Sequence, residues 1–159
     1  MTKFVFVLLV LYLSKASGGC RDGWERFDSN CYLLSQDRTS WSEAASFCSA
    51  LHSHLAIVTS DDEFNFLKST IIHRNGQRNQ YWIDGTDEEV EGVWRWASID
   101  QKITYFNWGR GQPDQTQHAN CLHLWSGSGF QTADGVCETH LNFICQSVYN
   151  DETDTMMFG

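Results

Sequence analysis

Six cysteines constrain this chain more than any other feature. Cys20, Cys31, Cys48, Cys121, Cys137 and Cys145 are its full complement, and all of them follow a short apolar leader. In that leader, Lys3 precedes the run Phe4-Val5-Phe6-Val7-Leu8-Leu9-Val10-Leu11-Tyr12-Leu13, and the small residues Ser14, Ala16, Ser17, Gly18 and Gly19 come after it. Ten helical residues rise about 15 Å, half of a ~30 Å bilayer core. Residues 1–18 therefore read as a secretory signal peptide, not an anchor. An even number of cysteines in an oxidising compartment predicts three disulfides, which cysteine counting leaves open among fifteen connectivities. No close pair has zinc-finger spacing, so a structural metal is the weaker reading. With no cysteine left over, any oligomer is expected to be non-covalent. No Asn-x-Ser/Thr acceptor occurs, so N-glycosylation is not expected.

The 159 residues suit one domain. With 42% hydrophobic and 19% charged residues, the chain can bury a core and is not a disordered polyanion. Eleven Lys+Arg against twenty Asp+Glu give a formal charge of −9, and loss of Lys3 and Lys15 with the leader makes the balance more acidic. A net-acidic surface without a basic run argues against nucleic acid and against anionic lipid. No second long apolar run suggests membrane insertion. The aromatic load suits a loop-rich core or a stacking surface.

Two helices are legible early. Ser40-Trp41-Ser42-Glu43 is a capping box, after which Trp41, Ala44, Ala45, Cys48 and Leu51 fall on one helical face. Ser60-Asp61-Asp62-Glu63 is a second box, followed by Phe64, Leu67 and Ile71 at the same period. Between them, residues 54–58 are short, apolar and β-favouring. Further strands are expected at Tyr81–Ile83, Val93–Trp96, Cys121–Trp125 and Leu141–Gln146. From Ala97 to Asn120 runs a long irregular stretch with the only proline, and loops of that length are usually functional. Helices first and strands after predict an α+β domain over residues 20–146. The polar, acidic tail 147–159 is expected to be disordered.

In order along the chain stand Cys20-x-x-Gly23-Trp24, Cys31-Tyr32, Trp41-Ser42-Glu43-Ala44, Cys48, His54-Leu55-Ala56 and Glu63. These are followed by Trp82-Ile83-Asp84-Gly85, Trp94-Arg95-Trp96, Asn107-Trp108, Gln112-Pro113-Asp114, Cys121, Cys137 and Phe143-Ile144-Cys145. Each is weak alone, but the ordered set resembles the C-type lectin-like domain family across nearly all of the mature chain. Its spacing is similar to that of small secreted invertebrate members, including perlucin-like lectins. The resemblance implies the C-type lectin-like fold, with two helices, short antiparallel sheets and a long irregular binding loop. It also implies the pairs Cys20–Cys31, Cys48–Cys145 and Cys121–Cys137.

It implies a sugar site as well. Sugar-binding members hold a calcium ion with oxygens that also hydrogen-bond two adjacent sugar hydroxyls, and a usually cis proline turns its flanking side chains toward that point. Gln112-Pro113-Asp114 is the form that goes with galactose-type ligands. Carboxylates only accept hydrogen bonds whereas amides also donate, and this order separates it from the mannose-type form. Gln112, Asp114 and Asp134 are thus the expected carbohydrate- and calcium-binding residues. The set is depleted: Ala119 stands where the family has Glu, and Thr132-Ala133-Asp134 where it has Trp-Asn-Asp. Three side-chain donors and the Asp134 carbonyl fall short of the 6–8 oxygens of calcium, so binding near ~10⁻⁴–10⁻³ M is expected, with water completing the shell. For the aromatic that stacks on galactose, His118, Trp125 and Phe130 are the candidates, Trp125 reading rather as core or loop support.

An auxiliary calcium position of the family would fall on Asp87, Glu91 and Asn120, although Asp87-Glu88-Glu89 reads more simply as a solvated acidic turn. His52-Ser53-His54 could present two imidazoles to zinc but lacks a third ligand, and His118 beside Asp114 could serve a transition metal. No Gly-x-Ser-x-Gly, His-Glu-x-x-His or phosphate-cradling loop appears, so catalysis is not expected. The leading expectation is a secreted lectin for glycans on microbial or host surfaces, strengthened by clustering and serving innate immunity. The alternative is a calcium-independent module of the same fold that binds a protein or a mineral or matrix surface.

Overall fold

A computed structural model describes residues 19–114 and 118–149. The leader, residues 115–117 and the tail from 150 lie outside the described residues. The elements in chain order are β1 (Glu25–Phe27), β2 (Asn30–Leu34), α1 (Trp41–Ala50), β3 (His54–Leu55), α2 (Asp61–Asn75) and β4 (Tyr81–Thr86). They continue with β5 (Arg95–Trp96), β6 (Gln101–Lys102), β7 (Cys121–Trp125), β8 (Gln131–Gly135) and β9 (Asn142–Val148).

Both helices start where their caps predict. Ser40 accepts the Glu43 N–H and the Glu43 carboxylate returns to the Ser40 N–H, a complete capping box. At α2 only half of the box forms: Ser60 accepts from Glu63 N–H at 3.2 Å. The Glu63 carboxylate turns inward instead, accepting from Thr59 N–H at 2.8 Å and from the Tyr32 hydroxyl. Glu63 is thereby buried yet hydrogen-bonded, the condition on which a carboxylate is tolerated inside.

β9 joins the sheet's two parts. Its first residues, Asn142 and Phe143, lie parallel to Tyr81 and Trp82 of β4. The rest pairs antiparallel with β2, from Leu34↔Ile144 to Asn30↔Val148, and with β3. The β4–β9 pair makes the sheet mixed where antiparallel pairing was expected. β4 also carries β5 and β7, and β7 carries β8. Because side chains alternate along a strand, Tyr81 and Ile83 join the core with Leu67 and Ile71 of α2, while Trp82 packs with Ala44 and Cys48 of α1. Each helix thus covers an opposite face of β4, which is why β4 is buried on both sides.

Cys20–Cys31, Cys48–Cys145 and Cys121–Cys137 are the disulfides, as the resemblance implies. Other expectations need correction. β3 stops at Leu55, since Ala56 N–H and carbonyl already bond Ile144 and Asp84 outside a regular ladder. The stretch 97–120 is not wholly irregular: Asp100 turns with φ 50 and is held by Arg95, so that β6 returns antiparallel onto β5. Ser147 and Val148, assigned above to the tail, belong to β9, and Tyr149 N–H donates to Ser29 at 2.7 Å. No helix of the described residues is long and apolar enough to cross a membrane.

Candidate functional site

β8 pairs on one side only, with β7, in the register Leu122↔Asp134 and Leu124↔Thr132. Its other edge would leave backbone groups unpaired, and the long loop lies along it. Thr132 N–H donates to Asn107 at 2.8 Å, and Gly109 N–H returns to the Thr132 carbonyl at 2.8 Å, a parallel bridge centred on Trp108. Gln131 Nε2 braces the same stretch through Asn107 Oδ1 and the Trp108 carbonyl, at 3.0 and 3.2 Å. Neither Asn107 nor Gln131 was singled out from the sequence for this brace. β8 itself is absent from the expected strands, and its polar sequence carried no signal that could have found the brace.

Beyond Gly109 the loop turns away from the edge, and side chains take over its pairing. Gln112 N–H bonds the Gly109 carbonyl at 3.0 Å, the Gln112–Pro113 peptide is cis, and Gln112 Oε1 lies 3.4 Å from the Asp134 N–H. In return Asp134 Oδ1 accepts the Asp114 N–H at 3.0 Å. Two reciprocal side-chain-to-backbone bonds clamp the prolyl turn onto β8, bringing together the three residues expected from sequence. Asp134 is buried, Gln112 half-buried and Asp114 exposed, so the cluster presents its oxygens from wall to rim.

The donors are an amide and two carboxylates, the hard oxygen chemistry that suits calcium. The set is nevertheless small. Ala119 and Ala133 are 5% and 2% exposed, packed methyl groups where the family places polar ligands. Among the described residues no group of three or more His, Cys, Asp and Glu is arranged to hold a metal. Gln112, Asp114 and Asp134 alone supply too few oxygens for the 6–8 that calcium takes.

The remaining candidates separate clearly. Phe130 is 1% exposed and belongs to the main core, so it is not a stacking surface. Trp125 is half-buried with Gly127 directly over its ring, where a Cβ would come within 2.7 Å. His118 is exposed, with φ 73. Phe106 and Trp108 stack at 4.9 Å beside the bridge to Thr132 and are only partly buried. The acidic turn is not uniformly solvated: Glu88 and Glu89 are exposed, but Asp87 is 3% exposed and accepts Gly92 N–H at 2.8 Å. Asp87 N–H reaches the Asn120 carbonyl at 3.3 Å, whereas Glu91 is exposed. His52 turns outward at φ 53, and His54 Nδ1 donates to the Leu55 carbonyl at 2.7 Å. Trp94 and Trp96 are buried core residues.

A loop laid along the free edge of β8, a prolyl turn clamped by a buried aspartate and three such disulfides together define one class of module. The C-type lectin domain model matches residues 37–147, and the chain belongs to that family. It is 31% identical over 148 residues to a perlucin-like protein of Mytilus galloprovincialis, covering 89% of this chain and 95% of the relative. It is 35% identical over 130 residues to perlucin of Haliotis laevigata, covering 80% and 83%. Among solved structures, the carbohydrate-recognition domain of the mouse scavenger receptor C-type lectin superposes with a TM-score of 0.74 at 31% identity, covering 82% of this chain and 98% of that one.

Proposed function

We propose that this protein is a secreted lectin that binds terminal sugars of galactose type through Gln112, Asp114 and Asp134, with weak help from calcium. Convergence of the Gln112-Pro113-Asp114 turn on Asp134 carries the reading. A carboxylate and an amide at the loop rim offer acceptors and a donor to adjacent sugar hydroxyls, and the likeness to a carbohydrate-recognition domain supports the same use. Phe106 and Trp108 are the partly buried aromatics on the loop side of β8. Because one shallow site is weak, clustering of copies would supply avidity in recognition of microbial or host glycans. Nothing in this arrangement requires catalysis.

Retention on immobilised galactose, read with calcium, with chelator and with free galactose, tests the proposal. Asp114 bonds Asp134 through its backbone N–H, so Asp114→Ala removes the rim carboxylate and keeps that bond. The variant is expected to remain folded, read as a cooperative melt in the absence of calcium, and to lose retention. A folded Asp114→Ala protein that is still retained would sink the assignment. The buried Ala119 and Ala133 favour a second reading, a calcium-independent module that binds a protein or a mineral surface. Its signature is binding indifferent to both chelation and free sugars.

A further inference from the structure

Away from the loop, Trp41 stands between two recesses. Its Nε1–H donates to the Ile83 carbonyl at 2.9 Å, which fixes the half-buried ring as a wall common to both. The larger recess, about 510 Å³, is lined by Ser53, Asp84 and Ser98 among others. The smaller, about 360 Å³, carries Glu88, Glu89, Arg95 and Asp100.

Asp84 is 2% exposed, on a strand otherwise devoted to the core. Ser98 donates twice to it, N–H at 3.0 Å and Oγ at 2.6 Å, and both bonds fall on Oδ2. No described residue donates to Oδ1, although Asp84 lines the recess. Burial pushes the carboxyl above its ordinary range, and the Ser98 bonds and, less strongly, His54 pull it part of the way back. In the adjoining recess the one cation, Arg95, is taken up by Asp100 through Nε at 2.8 Å. Among the described residues no Lys or Arg pairs with Asp84, Glu88 or Glu89; His54, in the wall of the larger recess, is the one basic group acting on Asp84, and it forms no ion pair with it.

These groups ask for different things of one ligand. Carboxylates only accept, and uncompensated ones favour a cationic donor. An indole face attracts a cation and also the apolar face of a pyranose. A neutral hexose would use the ring and the serines but not the charge, and an alkyl amine would use the charge but offer no pyranose face to the ring or hydroxyls to the serines. An amino sugar uses both. We propose that the larger recess beside Trp41 binds a hexosamine with a free ammonium group, its ring against Trp41 and its ammonium toward Asp84, with Glu88 and Glu89 in the adjoining recess adding to the negative field. This site is separate from the loop and does not rest on the lectin reading.

The test follows the Trp41 Nε1–H resonance of ¹⁵N-labelled protein while D-glucosamine, D-glucose, N-acetyl-D-glucosamine and n-butylamine are titrated in turn. Glucosamine is expected to give a saturable shift at least about tenfold tighter than the other three, weakening as salt rises from ~50 to ~300 mM. Asp84→Asn, which keeps the side chain's shape, should abolish the shift. The exposed double substitution Glu88→Gln/Glu89→Gln, which does not threaten folding, should weaken it by about fivefold. Asp114→Ala, which disables the loop site, should leave the shift in place, so failure at one site is read separately from failure at the other. Equal response to N-acetylglucosamine or glucose would overturn the role of charge, and equal response to n-butylamine the role of the ring. A glucosamine shift that survives both sets of carboxylate substitutions would overturn the site.

Discussion

His123 shows how much one buried side chain can set the acid limit of this domain. It lies on β7, 7% exposed, with its ring edge-on to Trp82 and its Nδ1 without a hydrogen-bond partner among the described residues. Desolvation lowers its pKa from 6.5 to about 4. The native state thus disfavours the imidazolium that the unfolded chain readily forms. Its contribution is fully present above pH 6.5 and is lost as pH falls toward about 4, a change on the order of 3 kcal/mol. Asp84 acts with the opposite sign, because a raised carboxyl pKa favours the fold when protonated. The diagnostic quantity is therefore a difference between proteins. Melts at pH 7 and pH 4.5 should show His123→Leu losing markedly less stability on acidification than the parent, and equal losses would contradict the assignment.

At the scale of elements, legibility followed periodicity. The faces of α1 and α2 and their Ser caps could be read because 3.6-residue spacing and capping chemistry are local. β8 was missed because Gln131-Thr132-Ala133-Asp134-Gly135 has little apolar signal, and its place depends on register with β7. β6 was hidden in the long stretch because two exposed residues carry no pattern. Of the candidate site, Gln112, Asp114 and Asp134, which the fold brings together, were singled out through their resemblance to a family motif. The Asn107–Gln131 brace was not, since it joins residues 24 positions apart. Close approach of β4 and β7 was equally invisible: a Cβ on Gly85 would lie 2.3 Å from Leu122 Cδ1. Gly85→Ala should therefore cost about 1–3 kcal/mol in urea unfolding, whereas a change within a few tenths would mean that Leu122 gives way easily.

Across the whole molecule, the covalent frame and the two-faced sheet act together. Cys48–Cys145 spans 97 positions and ties α1 to β9, whereas Cys20–Cys31 spans 11 and closes only the β1–β2 hairpin. On the chain-entropy account, removing the long link as a Cys→Ala pair costs about 5 kcal/mol and the short one about 3 kcal/mol. Denaturant midpoints of the two variants should fall in that order, and the reverse order would locate the stabilisation in strain or residual structure instead. The loop site sits on this frame at the outer edge of β8, held by few bonds, so occupying it should register in the stability of the entire domain. The most direct measurement is the thermal midpoint of the protein lacking residues 1–18 as calcium is raised, with and without free galactose. Ligand bound only by the native state contributes RT ln(1 + [L]/Kd), so a ~1 mM site adds about 1.4 kcal/mol at ~10 mM calcium, roughly 3–5 °C. A calcium-dependent rise that galactose extends, and that Asp114→Ala abolishes, is the predicted result. A midpoint flat to both ligands would contradict a sugar site at Gln112, Asp114 and Asp134.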